Sequence, residues 1–448
     1  MPRQKAQINN NGVSNVVSRK MREAKLSVVE SPSAGASSPS LASDNKNINA
    51  IEASKDTPDL VCLSHLRWNF VFQRPQHLMS RCAQGRRVFF IEEPIFGEYA
   101  EERLDVSMHE SGVWVVVPHL PENLSEEAAS AAQQVLLDGL FTEHQIRRYI
   151  CWYYTPMALA FTRHLQPLAV VYDCMDELSA FKGASPALRA QEAELFRHAD
   201  LVFTGGQSLY ESKVHQHPNV YAFPSSVDVA HFQKARNITQ DPADQANIPH
   251  PRLGFYGVID ERMDLELLSG IALSRPDWHL VIIGPVAKID PAVLPRHENI
   301  HYLSGKDYKE LPAYLAGWDL AMLPFARNES TRFISPTKTP EYLAAGKPVV
   351  STSIRDVVRP YGQSGMVLIA DTVAEFVAAA EKATQEDSKS SVRLRRVDAF
   401  LKQISWDRTW ADMIHLIESA INVKAQSHEV TTAALVKQRQ ASAITESI

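Results

Sequence analysis

A chain of 448 residues is long enough for two domains with tails. Its 45% hydrophobic and 22% charged residues, with a net charge of −6, are ordinary for a soluble globular protein and too little basic for a nucleic-acid partner. Four scattered cysteines (Cys62, Cys82, Cys151, Cys174) without a CxxC pair argue against a disulfide framework or zinc ribbon and for a reducing cytoplasm.

No apolar run approaches the ~20 residues that span a bilayer, and the N-terminus lacks the apolar core of a signal peptide. Residues 1–57 are rich in Ser, Asn and Ala and read as a disordered arm. Within it Val16–Leu26 is weakly basic and amphipathic, so peripheral contact with an anionic membrane is one reading and a solvated arm the simpler one. Order begins with a buried strand over Asp59–Ser64, then a helix over Arg74–Gln84 and a strand over Arg87–Glu92. Further strands are expected at Val113–Val117, Tyr149–Trp152, Ala169–Tyr172, Leu201–Thr204 and Val220–Phe223, with helices at Glu126–Leu140 and Pro186–His198. This is the alternation of an α/β domain with a largely parallel sheet, spanning 58–236.

The polar, proline-containing stretch 237–251 reads as a linker. The alternation restarts over 252–405, with strands at Arg252–Tyr256, His279–Ile283, Asn299–Leu303, Asp319–Leu323, Pro348–Thr352 and Met366–Ile369. A helix at Val373–Thr384 belongs to the same domain. A last helix covers 406–422, and 423–448 reads as a disordered tail. The expected architecture is α/β: two tandem Rossmann-like, doubly wound domains facing a cleft.

Ser335–Val350 is the stretch around which the second half is organised. Gly346 closes its helix, and a start near Ser335 puts Lys338 and Glu341 on one face near the positive helix end. A cation and a carboxylate there suit a phosphate beside a sugar hydroxyl, with a surface ion pair as the plain alternative. Gly257 follows the first strand of this domain and Gly284 the second, both at the sheet edge where open α/β folds bind ligands. Arg262 could clamp a diphosphate; an ordinary turn with a surface Arg is the competitor.

His297-Glu-Asn-Ile-His301 matches HExxH, but the segment reads as a strand. Its histidines would then stand about 13 Å apart, too far to share a metal. No two aspartates are two apart, so no D-x-D motif is present and no metal site is expected. In the first half, the segment Ser64–His77 offers His65, Arg67, Trp68, Gln73, Arg74 and His77, which could grip a polar ring or simply pack. Asp173, Asp176 and Glu177 lie past a strand end, fit to bind hydroxyls or steady positive charge, or to cap a helix.

These stretches together resemble glycosyltransferases of the two-Rossmann-domain (GT-B) type, in the group 1 superfamily, over about residues 58–422. SHLRWNFVFQRPQHL, VFFIEEP, VYDCMDELSAF and SWDRTW carry a closer likeness to bacterial enzymes of cell-surface polysaccharide assembly, including the teichuronic-acid type. The resemblance implies transfer of a sugar from a nucleotide diphosphate sugar to a polysaccharide or lipid-linked acceptor, retaining and without metal or other cofactor. The protein would then work in the cytoplasm or at the inner face of the membrane. Glu341 would hold ribose hydroxyls, Lys338 and Arg262 would face the diphosphate, and the Tyr302–Gly305 loop would edge the base. The His65–His77 loop and Asp173–Glu177 would hold the acceptor and the reacting sugar, and the last helix would cross back onto the first domain. Two departures stand out: Phe333 replaces a glutamate frequent eight positions before Glu341, and Pro340 lies where a plain helical residue is usual. A nucleotide-sugar-binding scaffold without turnover, or an epimerase on the same fold, are the alternative readings.

Overall fold

A computed structural model describes residues 57–385 and 391–445 of the chain. The arm at 1–57 therefore falls, apart from Thr57, outside the described residues.

The first sheet is built from β1 (Asp59–Leu63), β2 (Val88–Ile91), β3 (Ile95–Gly97), β4 (Arg103–Met108), β5 (Val113–Pro121), β6 (Tyr149–Tyr153), β7 (Ala169–Cys174), β8 (Leu201–Thr204) and β9 (Val220–Ala222). Its order is β3-β5-β2-β1-β6-β7-β8-β9, with β4 antiparallel on β5 and every other pairing parallel. The apolar runs of the central strands follow from burial on both faces. In β1, Val61 and Leu63 join one hydrophobic cluster, and Leu60 and Cys62 join the cluster on the opposite face. The hairpin partner β4 was not expected from the sequence, because its alternation of exposed charges marks an edge strand rather than a buried one.

The second sheet contains β10 (Arg252–Tyr256), β11 (His279–Ile283), β12 (Ile300–Leu303), β13 (Leu320–Leu323), β14 (Val349–Ser351) and β15 (Leu368–Ile369). Its order, β12-β11-β10-β13-β14-β15, is fully parallel and reverses direction at β10. A crevice opens at such a reversal, outside the carboxyl ends of the strands. Both halves have this winding, so the tandem doubly wound architecture is met.

Residues 237–251 are not a free linker. Ile248 is buried in the second domain's core, and Gln245 is fully buried, bonding through Nε2 to the Tyr314 carbonyl at 3.1 Å and through Oε1 to Trp318 Nε1 at 3.0 Å. Arg252 closes the arrangement with Asp241 at 2.7 Å. Polarity here reflects buried hydrogen bonding rather than solvent.

The last helix runs from Trp406 to Thr445, well past the expected end at 422 and through most of the stretch read as a tail. Trp406, Met413 and Ile417 enter the core of the first domain. The chain thus crosses back to finish the domain it began with. Across the cleft, the Asp356 carboxylate accepts the Ser208 N–H at 3.0 Å, the Ser225 hydroxyl donates to the Ser335 carbonyl at 2.5 Å, and Arg355 pairs with Glu211 at 2.7 Å.

Candidate active site

Two glycines shape the carboxyl edge of the second sheet. Gly257 (φ 139°) and Gly284 (φ 142°) end β10 and β11 in backbone conformations closed to other residues. A Cβ on Gly284 would come within 2.0 Å of the Gly257 carbonyl oxygen, and one on Gly257 within 2.3 Å of Lys338 Cε. The glycines therefore let two loops approach each other and leave a path for the lysine.

Lys338 begins the helix Lys338–Ala344, three residues later than the start at Ser335 suggested by the sequence. Pro340 falls in the first turn, where its missing N–H costs nothing. The Lys338 ammonium lies over the Phe255 ring at 5.6 Å. Burial, helped by the neighbouring Arg262 charge, lowers its pKa to about 8. One turn on, Glu341 is 4% exposed and accepts a hydrogen bond from the Tyr256 hydroxyl. Burial raises its pKa to about 7, against the opposing pull of that hydroxyl and of Lys338. Arg262 is held by Asp260 in a two-pronged pair, Nη2 at 2.7 Å from Oδ2 and Nε at 3.0 Å from Oδ1. Tyr302 is spent differently: its hydroxyl donates to the Pro295 carbonyl at 3.1 Å and the Arg296 guanidinium covers its ring.

The three carboxylates of the first domain part ways. Asp173 is fully buried against Arg74, whose Nη1 also donates to the Phe223 carbonyl at 2.7 Å. Glu177 takes Lys213 at 2.8 Å and the Ser179 hydroxyl at 2.7 Å, and Lys213 also binds Glu192 at 2.7 Å. Asp176 alone looks across the cleft. Its pKa is raised by burial, while Arg262 and Lys288 of the second domain pull the other way.

Most of the segment 64–77 serves the fold. Arg67 binds Glu92 at 2.9 Å, and Trp68 is 3% exposed against Phe90. The Gln73 N–H donates to Gln76 Oε1 at 3.0 Å, at the start of the helix Arg74–Cys82. Buried His77 stacks on Trp406, with ring centroids 4.6 Å apart. His65 is half-buried at the end of β1. Phe70 and Phe72 keep exposed faces, and Phe72 stacks on Tyr308 of the second domain at 4.4 Å.

The sequence did not single out Tyr256, Tyr308, Asp260, Phe181 or Lys288. Tyr256 and Asp260 act by positioning Glu341 and Arg262, and no spacing rule announces a partner brought in by a neighbouring strand or turn. Phe333 is half-buried against the first domain's core, with Arg332 over its ring at 5.2 Å. Of the HExxH histidines, His297 meets the Ser269 hydroxyl at 2.7 Å and His301 meets His279 at 3.0 Å. Among the described residues no three His, Cys, Asp or Glu side chains are grouped to hold a metal ion.

Two Rossmann-like domains with the cations of one facing the carboxylate of the other define a protein of GT-B architecture. Residues 250–386, in the second domain, match the family described as glycosyl transferases group 1. Over 150 residues it is 30% identical to a Bacillus subtilis (strain 168) protein bearing the name teichuronic acid biosynthesis glycosyltransferase TuaH. That match covers 32% of this chain and 37% of the relative, so the likeness spans little more than a third of that protein. Sucrose-phosphate synthase from Thermosynechococcus elongatus superposes with a TM-score of 0.60 at 14% identity, over 82% of this chain and all of the other. A structure described as trehalose-6-phosphate from E. coli bound with UDP-2-fluoro glucose gives 0.58 at 11% identity, covering 81% of this chain and 99% of that one. At such identities these two likenesses establish the fold alone.

Proposed function

We propose that this protein transfers a sugar from a nucleotide diphosphate sugar to a polysaccharide or lipid-linked acceptor in the synthesis of a cell-surface or exopolysaccharide. The observation that carries the reading is the convergence of Arg262, Lys338 and Glu341 beside the paired glycine turns, with Asp176 opposite. In the reaction the bond from the anomeric carbon to the diphosphate oxygen breaks, and the nucleoside diphosphate leaves with the electron pair. An acceptor hydroxyl oxygen bonds to the same carbon and gives up its proton. Fixed cations favour the departing diphosphate because its charge grows as the bond breaks. Arg262 and Lys338 supply that charge here, without a divalent metal. Glu341, with Tyr256 behind it, suits the ribose hydroxyls, and Asp176 is placed to receive the acceptor's proton or to steady the positively charged sugar. Retention of configuration is part of the proposal and rests on the family likeness.

The donor loops would contact the base through the Tyr302–Gly305 segment, and the acceptor would lie along the exposed side of Phe70 and Phe72. No helix among the described residues is long and apolar enough to cross a membrane. A lipid-linked acceptor would be met at the cytoplasmic face of a membrane. Phe333, in the place of a frequent glutamate, favours a second reading in which the protein binds nucleotide sugars without turning them over.

A thermal-shift panel of nucleoside diphosphates and their sugars, with and without magnesium, tests the donor site. A ligand at 100 times its dissociation constant stabilises the folded state by about 2.7 kcal/mol. A magnesium-independent rise with one nucleotide, lost in Lys338→Ala, is the expected result. A folded protein that shifts with none of them overturns the proposal. Release of nucleoside diphosphate from the selected donor in the presence of acceptor glycan separates enzyme from binding protein.

A further inference from the structure

The loops after β10 and β11 each point a cation at the same aromatic ring. The Arg262 guanidinium lies 5.5 Å from the centroid of Phe181, and the Lys288 ammonium lies 4.7 Å from it. Phe181 belongs to the other domain. It follows the short helical turn Leu178–Ala180, and its neighbour Lys182 donates its N–H to Glu261 Oε1 at 2.9 Å, which ties the segment across the cleft.

Lys288 is held in an unusual way. Its φ is 63°, and among the described residues only Gln145 shares this left-handed backbone without being glycine. A lysine in that region is strained, and such strain persists where surrounding structure fixes it, often at ligand-binding positions. The side chain is exposed, and its ammonium makes no ion pair or hydrogen bond among the described residues beyond the face of Phe181. A ring face is a weak substitute for an anion at an exposed site. Arg262, the second cation on that ring, already faces the proposed diphosphate.

We propose that Lys288 is a further diphosphate-binding residue that acts together with Arg262, and that Phe181 covers the two cations until the donor's phosphates displace it. This rests on the donor-site reading above. Asp176 lies five residues before Phe181 on the same segment.

The test is calorimetric titration of uridine, guanosine and adenosine diphosphates and their monophosphates into wild-type protein, Lys288→Met, Lys288→Gly and Phe181→Ala. Lys288→Met is expected to raise the diphosphate Kd about tenfold and the monophosphate Kd much less. Lys288→Gly relieves the backbone strain, so it is expected to melt no lower than wild type while losing the same diphosphate preference, which separates ligand contact from folding. Phe181→Ala is expected to bind diphosphate several-fold more tightly. An unchanged ratio of diphosphate to monophosphate affinity in both Lys288 variants, or weaker diphosphate binding by Phe181→Ala, overturns this inference and leaves the donor site standing. Failure of the wild-type protein to bind any diphosphate overturns the donor site itself, and this inference with it.

Discussion

Arg74 grips Asp173 with two nitrogens, Nε at 2.9 Å from Oδ2 and Nη2 at 2.9 Å from Oδ1, across 99 residues of sequence and almost wholly out of solvent. Burial opposes the charge on Arg74, yet the Asp173 carboxylate holds its pKa above the ordinary value. The pair fastens the helix Arg74–Cys82 to the end of β7, directly behind Asp176. Removing one partner strands the other charge in the interior, which costs about 3–5 kcal/mol. Asp173→Ala is expected to lower stability by about that amount in urea unfolding, while the folded fraction keeps its nucleotide affinity. Asp176→Asn is expected to keep stability and lose turnover. Equal stability losses in the two variants would refute this division of labour.

Lys338 and Glu341 give donor binding a narrow pH range. Glu341 is ionised above about 7 and Lys338 is charged below about 8, so the two charged forms coexist mainly between those values. Nucleoside diphosphate affinity is expected to be bell-shaped, with its maximum near pH 7.5, on the order of midway between the two limbs. Glu341→Gln should flatten the acid limb and Lys338→Arg the alkaline one. Titrations at a series of pH values decide the matter, and a flat profile in wild type would refute it.

The same groups make an opposite forecast for stability. The Glu341 pKa rises on folding from an ordinary 4.5 to about 7, so the native state holds more protons in that interval and stability falls as pH increases through it. The Lys338 pKa drops from an ordinary 10.5 to about 8, so the unfolded state holds more protons there and stability rises with pH. Burial of these two charged groups therefore costs the fold most between about 7 and 8, where binding is strongest. Melting temperatures of wild type and a Lys338→Met/Glu341→Gln double variant across pH 4–10 should differ most in that interval. Parallel curves would count against the assignment.

Asp356 ties the domains together through a helix end. It is 5% exposed and both its oxygens accept the Ser208 N–H, at 3.0 and 3.3 Å, where the helix Gln207–Lys213 starts in the other domain. A Cβ on Gly206 would come within 2.3 Å of this carboxylate, so the turn is shaped to admit it. Losing such a cap costs about 0.5–2 kcal/mol. Asp356→Ala is expected to lower the melting temperature slightly and to enlarge the radius of gyration in solution scattering, as the cleft opens. An unchanged scattering curve would show that the other interdomain contacts suffice.

The strand cores were readable because a two-faced parallel sheet writes its strands as unbroken apolar runs: β10 and β11 begin and end where the sequence placed them. Gly257 and Arg262 were singled out at a strand end and Lys338 and Glu341 at a helix start, and the structure brings Lys338 together with Gly257, Arg262 and Glu341. The segment from Arg67 to His77 was harder. Arg67 and Arg74 look like ligand groups in sequence, yet each has a buried or half-buried carboxylate as its partner, 25 and 99 residues away. Pairings at that separation follow from the sheet order and not from local spacing. Lys288 carries no sequence mark at all. Its meaning comes from a backbone angle and from a ring supplied by the other domain.

The crossing helix sets an order on how the protein is made. A nascent chain emerges N-terminus first, and domains generally close as units. The second domain's core is complete once Leu401 has appeared, but the first domain waits for Trp406, Met413 and Ile417. The domain synthesised first is therefore the last to be sealed. Until then one face of its sheet, with Trp152 and Phe203 upon it, is covered only in part, by the helix Arg74–Cys82, and meets whatever holds a newborn chain.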